Sequence, residues 1–354
     1  MAVLETDEAA LPEVLARTAP RVVVLTNLFR DQLDRYGEVD LIIEHWRRAL
    51  LDLPASTTLV VNADDPALVD VTDGVEARRR LFGIEETIYQ LAAVPHAAED
   101  LRCPVCRRRL AYRAIYVGHL GSWHCPGCGL ARPTLDVAGH AIELWSHDFQ
   151  SLKVTGLGVA SQFEVGLPGL YNSYNVIAGL TAAHVLEVPG PVSQRSLSRY
   201  RGAFGRAERV VHRGRNLMIM LVKNPVGCNE VLRTIVGVDR APTSPVLLCL
   251  NDAASDGRDV SWIWDVDFEL FASSSTRFFC SGTRWADMAN RLHYAGIARE
   301  RIHPLEGDLG TAIDEFAAAL PEGGAGFVLP TYSAMLAIRQ ALGRRQRLPA
   351  FWDD

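Results

Sequence analysis

Lysine is nearly absent. Of 36 basic residues only Lys153 and Lys223 are lysines, so chemistry that requires an amine has two candidates. No run of eighteen apolar residues occurs, and the first twenty residues contain Glu5, Asp7, Glu8 and Glu13. The expectation is a chain with neither a transmembrane helix nor a secretory signal. Internal repeats and low-complexity segments are also missing. A net charge of −6 argues against a nucleic-acid-binding surface. What remains is an ordinary globular composition, 48% hydrophobic and 22% charged, in a chain of 354 residues, long enough for two or three domains with substantial cores.

Seven cysteines fall into two groups. Cys228, Cys249 and Cys280 are isolated, whereas Cys103, Cys106, Cys125 and Cys128 form "CPVC" and "CPGC" in a C-x2-C-x18-C-x2-C pattern. With no export signal, that spacing reads as a metal site and not as disulfides. Two knuckles bring four thiolates around one structural Zn²⁺, and the closed coordination sphere leaves no place for substrate. The spacer "LAYRAIYVGHLGSWH" alternates like a short hairpin. His119 and His124 are alternative ligands, but an exposed hairpin position describes them better.

"RVVVLTNL" and "STTLVVNADDP" are β-branched runs ending in polar turns, and "DLIIEHWRRALLDL" between them repeats apolar residues at helical spacing. Strand, helix, strand with fully apolar strands predicts a parallel sheet. Ligands bind such sheets at the carboxyl ends of strands, which places "TNLFRDQLDRYGE" and "NADDP" at a site. After the cysteines, residues 141–169 read as hairpin material leading into a helix, "YNSYNVIAGLTAAHVLEV". From near Arg201, "NLMIMLVKNP", "PVLLCLND", "RFFCSGT" and "AGFVLPTY" supply four more strand-like runs, each followed by a helix-like segment. The fold class is therefore α/β. A parallel-sheet domain over 1–198 carries a zinc ribbon inserted at about 100–132, and a second, Rossmann-like α/β domain covers 199–354. In the second domain "LNDAASDGRDVSWIWDVDF" packs five aspartates and two tryptophans into nineteen residues after an apolar strand. Taken alone, it is a solvated turn followed by an amphipathic segment.

"TNLFRDQLDRYGE", "NADDP", "YNSYNVIAGLTAAHVL", "GRAERV" and "KNPVGCNE" follow the order of motifs in the Mur ligases, which make amide bonds through an acyl phosphate. The cysteine ribbon, "KNP" and "LNDAASDGRDVSWIWDVDFE" narrow the resemblance to the MurT family, synthetase subunits of lipid II isoglutaminyl synthase, across essentially the whole chain. The resemblance implies a Mur ligase central ATPase domain and an ATP-dependent carbon–nitrogen ligase. Such an enzyme amidates the α-carboxylate of D-glutamate in the lipid II stem peptide to D-isoglutamine, in peptidoglycan biosynthesis. Ammonia would come from a GatD-like class I glutaminase in a heterodimer. The place of action would be the cytoplasmic face of the membrane, where lipid II is anchored, with no nucleic acid involved. Two anions must meet, so Mg²⁺, arginine and helix termini have to neutralise the charge that develops.

Carried over residue by residue, Glu5 and Glu8, expected after a strand, resemble the acidic segment that binds Mg²⁺. A helix N-terminal turn is the alternative. Asn27, Asp31 and Asp34, with Asn62 and Asp64, line the ATP and substrate side, although Gln32 stands where many Mur ligases carry a histidine metal ligand. Asn172 and Asn175, three apart, share one helix face and address adenine, or else form a cap. Arg206 matches the arginine that approaches the γ-phosphate. Lys223 and Asn224 of "KNP" stand where other Mur ligases have an "HNP"-type segment. The family's glutaminase lacks the acid of its own triad, so the resemblance assigns that role to Asp259, with Asp265 and Asp267 as fallbacks and capping as the structural alternative.

One motif is missing. A Mur ATPase cradles phosphates in a glycine-rich loop ending in G-K-[ST], and no such segment occurs in these residues. "MAVLETDEAALPEV" corresponds to a point beyond that loop, so the expectation is a longer native reading frame and little activity from this chain alone. Two rivals follow: an inactive Mur-like zinc-ribbon scaffold, and a stand-alone amino-acid ligase that uses no ammonia.

Overall fold

The computed structural model describes residues 2–29, 39–86, 88–92, 95, 101–144, 149–158, 161–202, 204–238 and 243–344. They fall into two compact units, one of 1–143, 151–164 and 170–198, the other of 144–150, 165–169 and the chain from 199 onward.

In the first unit α1 (Leu11–Thr18), β1 (Val22–Leu25), α2 (Val39–Leu51), β2 (Thr58–Asn62), α3 (Pro66–Val71) and β3 (Arg78–Ile84) follow one another. A hairpin of β4 (Ala111–Val117) and β5 (Leu120–His124) intervenes before β6 (Val137–Leu144), β7 (Gln150–Thr155) and β8 (Ser161–Val165). Helices α4 (Leu170–Val185) and α5 (Gly190–Arg199) come next. The main sheet has the order β1-β2-β3-β6-β7-β8 and is parallel through its first four strands. The α2 periodicity explains its seat. Ile42, Trp46 and Leu50 recur every four residues on one face and pack with Leu25, Leu59 and Leu68. Burying such a leucine or phenylalanine is worth roughly 1.5–3 kcal/mol. Residues 2–6, by contrast, form no strand, and Val3 and Leu4 are exposed. The strand expected before Glu5 is thus absent, because no described sheet edge takes up this segment's backbone.

The second unit contains β9 (Glu208–His212), β10 (Arg215–Ile219), α6 (Pro225–Val238), β11 (Val246–Cys249), β12 (Phe278–Ser281), α7 (Trp285–Tyr294), β13 (Ile302–Pro304), α8 (Leu309–Ala318), β14 (Ala325–Pro330) and α9 (Tyr332–Gly343). Its sheet runs β13-β12-β11-β14-β10-β9, parallel except for the β9 edge. On β11 the pleat divides the core: Val246 and Leu248 join Phe268 and Phe278 on one face, Leu247 and Cys249 join Phe279 and Phe316 on the other. Both faces are covered, which is why "VLLC" carries no polar alternation.

One expectation changes here. No α-helix follows β11; the segment forms two 3₁₀ turns, Ser261–Asp265 and Phe268–Phe271. Its buried residues explain this, since Val260, Ile263 and Val266 recur every three positions, as do Phe268 and Phe271. Buried Arg291 from α7 fixes the path by donating to the carbonyls of Ile263 (3.1 Å) and Val266 (2.5 Å).

Candidate functional site

The four cysteines converge as their spacing required. Their sulfurs lie within 4.8 Å of one another, with Cys103 to Cys128 at 3.6 Å and Cys106 to Cys125 at 3.4 Å. Zn–S bonds of 2.3 Å place sulfurs about 3.8 Å apart at the corners of a tetrahedron, so the donor set fits a Zn²⁺. Backbone N–H groups of Cys128 and Gly127 point at the Cys125 sulfur and lower the pKa of its thiol, while the neighbouring thiols raise that of Cys128, as four sulfurs gathered without a shared cation would. Neither His119 nor His124 belongs to this cluster.

His119 is not exposed. It sits at the hairpin tip, 5% accessible, with Nε2 3.2 Å from Asp65 Oδ2. The correction has a simple cause: the hairpin does not extend into water but docks on the turn after β2. Gly121 N–H donates to the Asp64 carbonyl (3.0 Å) and Trp123 Nε1–H to the Ala63 carbonyl (3.1 Å). Arg132, whose N–H is tied to the Trp123 carbonyl, donates to Asp64 Oδ1 at 2.8 Å.

That turn is a node of buried charge. Asp64 and Asp65 have no accessible surface. Asp64 accepts from Arg132, from the Ile84 N–H (3.0 Å) and from the Tyr174 hydroxyl (2.6 Å). Gly83 makes room for it, since a Cβ there would stand 2.4 Å from Asp64 Oδ1. Burial pushes the Asp64 carboxyl above its ordinary value, with Arg132 opposing. Burial and this neighbour also raise the Tyr174 hydroxyl well above its ordinary value, so it remains a donor. Asp65 caps α3 through Ala67 N–H (2.9 Å) and accepts from Leu28 N–H (2.8 Å). Asn62, also without accessible surface, donates to the Thr26 carbonyl at 2.8 Å. Asn62 and Asp65 therefore hold the 26–29 segment, on which Asn27 is half-buried. Asp31 and Asp34 lie outside the described residues.

Asn172 and Asn175 share a face of α4, as expected. Asn175 Nδ2 donates to Asn172 Oδ1 at 3.2 Å, with Asn172 buried and Asn175 exposed. Tyr174 on the same helix reaches Asp64. Glu5 is exposed, and half-buried Glu8 lends its carbonyl to Trp46 Nε1 (2.7 Å) in the turn before α1.

In the second unit Arg206 is exposed on a turn where Phe204, Gly205 and Ala207 take φ of 53°, 78° and 55°. A left-handed conformation at two non-glycine residues is strained. It persists because Glu208 accepts from Gly205 N–H (3.0 Å) and pairs with Arg339, whose guanidinium lies 4.7 Å over the Phe204 ring. Lys223 is exposed, and Asn224 caps α6 by accepting from Gly227 N–H at 2.7 Å, with Pro225 in the first helical position. Asp259 is exposed. One of its oxygens accepts from Ser261 N–H at 2.8 Å, and that N–H holds its carboxyl below the usual range. Asp265 is exposed and Asp267 half-buried, its N–H bound to Asn229 Oδ1 at 2.8 Å. Sequence patterns had no means of finding the contacts of Asp65 with Leu28, of Arg132 and Tyr174 with Asp64, of Arg291 with Val266 or of Glu208 with Arg339, because the partners of each pair lie at least 25 residues apart.

This architecture is a known one. A pseudomurein peptide ligase type C from Methanothermus fervidus superposes with a TM-score of 0.70 at 18% identity, over 95% of this chain and 66% of that one. A Mycobacterium tuberculosis folylpolyglutamate synthase complexed with ADP and AMPPCP does so with a TM-score of 0.59 at 16% identity, over 93% and 65%. The chain thus has the Mur ligase-like fold and spans about two thirds of those structures. Residues 1–106 match the Mur ligase middle domain, and 221–335 match the MurT ligase C-terminal domain. The MurT subunit of the glutamine-hydrolysing lipid II isoglutaminyl synthase of Streptococcus pneumoniae is 31% identical over 350 residues, 98% of this chain and 75% of that protein. Its Staphylococcus aureus counterpart is 28% identical over 351 residues, 97% and 75%. The chain belongs to the MurT family of Mur-type ligases. Among the described residues no helix is long and apolar enough to cross a membrane.

Proposed function

We propose that this chain is the synthetase subunit of an ATP-dependent amidating ligase that converts the α-carboxylate of D-glutamate in the lipid II stem peptide to D-isoglutamine, with ammonia from a class I glutaminase. The observation that carries this reading is the identity of 31% sustained over 350 residues with a subunit of that named activity. In this reading the 26–29 segment with Asn27, together with Asn172 and Asn175, addresses the nucleotide. Arg206 and Lys223 are the cations assigned to phosphate and acyl phosphate, where preorganised positive charge acts on developing negative charge. Asn62, Asp64 and Asn224 hold backbone in place. Glu5 and Glu8 would hold Mg²⁺, which would supply positive charge for the phosphates. A structural Zn²⁺ fills the cysteine site.

Asp259 serves the partner. An exposed, ionised carboxylate on a loop that also exposes Trp264 (49% accessible) suits completion of a cysteine–histidine pair across an interface. The test is amidation of lipid II, read by mass, with glutaminase, glutamine and ATP. It is run on this chain and on one that carries a G-K-[ST] loop. Amidated product that depends on glutamine and on the partner is the expected result for the latter. Amidation without the partner would favour a stand-alone ligase, and no nucleotide binding in either chain would favour a scaffold.

A further inference from the structure

We propose that the cysteine ribbon positions the nucleotide segments of the first unit, with His119 as the positioning residue that links the metal site to the 26–29 segment. The ribbon touches the turn after β2 through both carboxylates, and each carboxylate holds a different candidate segment. Asp65 Oδ2 accepts from Leu28 N–H (2.8 Å) and has His119 Nε2 beside it at 3.2 Å. Asp64 accepts from Arg132 (2.8 Å) and from Tyr174 (2.6 Å), on the helix that carries Asn172 and Asn175. One arm runs from the hairpin tip to the loop, the other from the hairpin's flank to the helix.

The chemistry of His119 makes the first arm specific. A carboxylate only accepts, so the tautomer that suits the place beside Asp65 has its proton on Nε2 and leaves Nδ1 bare. Nδ1 is buried with no hydrogen-bond partner. Leaving a buried acceptor without a partner is costly, so the ring is not held there by its own polarity on both sides. It is held by the hairpin, whose tip places it, and by Phe29, whose ring meets the imidazole edge-on at 5.0 Å. Leu28 and Phe29 therefore both depend on a side chain whose location is set by the β4–β5 hairpin. A hairpin of two short strands is marginal alone, and the tetrahedral thiolate cluster at its base is what makes it rigid. Metal occupancy thereby becomes order at the loop beside Asn27.

The assignment of that loop to nucleotide rests on the proposed function, whereas the coupling does not. Hydrogen exchange at the Leu28 amide reads the coupling directly in the full chain with its metal bound. His119→Leu keeps volume and removes the donor. The expected result is one metal per chain, as in the parent, with Leu28 exchange accelerated about tenfold or more and Val60 in β2 unchanged, in line with loss of the polar neighbour that steadies Asp65. His119→Gln restores a donor and is expected to return Leu28 to within about threefold of the parent, which a packing role would not predict. Chelation of the parent chain is the second measurement, independent of any variant: Leu28 is expected to accelerate ahead of Val60. Unchanged Leu28 exchange in His119→Leu, or equal acceleration of Leu28 and Val60 on chelation, overturns the proposal. Affinity for a non-hydrolysable ATP analogue is measured alongside. A Leu28 response with unaltered nucleotide affinity leaves the coupling standing and removes the 26–29 segment from the nucleotide site.

Discussion

Two aspartate-rich turns at the carboxyl ends of parallel strands have opposite fates. "NADDP" after β2 buries both aspartates completely, and every carboxylate contact there is internal. "LNDAASDGRD" after β11 buries only Asp256, whose carboxylate accepts from Ser333 N–H (2.7 Å) and its hydroxyl (2.5 Å), while Asp259 stays in solvent. The difference lies in what covers them. A ribbon inserted 40 residues later seals the first turn with Trp123, His119 and Arg132, whereas the second is followed by 3₁₀ turns that bury their apolar residues beneath it and leave the acids outward. Asp64 and Asp65 are thus held by donors that an insertion supplies, whereas Asp259, with no insertion over it, keeps its carboxylate in solvent.

The strongest way to break the contrast is to remove the cover. Cys125→Ser is expected to take the metal content from one per chain to none and to abolish the ribbon's fold, read by elemental analysis and by loss of Trp123 burial in fluorescence. Next in size, Asp64→Ala leaves Arg132 and Tyr174 buried without their acceptor and is expected to cost roughly 3–5 kcal/mol in denaturant unfolding. A cost under about 1 kcal/mol would mean the node is not the buried charge network described here. Asp259→Asn sharpens the contrast from the other side. Asn caps as well as Asp, so stability should change by less than about 0.5 kcal/mol. Glutamine hydrolysis by the complex should fall by about 10²- to 10⁴-fold, and free ammonia should restore amidation. Wild-type hydrolysis in that variant would return the loop to a solvated turn.

The smallest effect is in pH. Asp64 has its folded carboxyl raised above 3.8 by burial, so its contribution to stability is fully present below 3.8 and is lost as pH rises through the folded value. Asp259 is lowered by the Ser261 N–H, so its contribution is present above 3.8 and is lost as pH falls through the folded value. Melting temperatures should follow opposite courses. Relative to Asp64→Asn the parent gains as pH falls from 7 toward 4, and relative to Asp259→Asn it loses whatever advantage it has below about pH 4. Parallel courses would show that the two turns are electrostatically alike.

How much of this was legible in sequence depends on the range of the interaction. Cys-x2-Cys pairs, the four-residue apolar repeat of α2 and the apolar runs of β2 and β11 are local patterns. Backbone geometry alone turns them into a ribbon, helices and strands. Family motifs placed Asn172 and Asn175 on one helix face by the same local rule. Tertiary structure decided the rest. "DVSWIWDVDFELF" reads as helical until the spacing of three in its buried residues and the reach of Arg291 are known. His119 reads as a solvated hairpin tip because nothing near it in the chain reveals that Asp65, 54 positions earlier, lies 3.2 Å from its Nε2. Desolvation sets the physical limit. The sequence determines which groups carry charge, but whether an aspartate is a solvated acid or a buried anchor depends on which distant surface excludes water from it, and only the folded chain brings that surface into place.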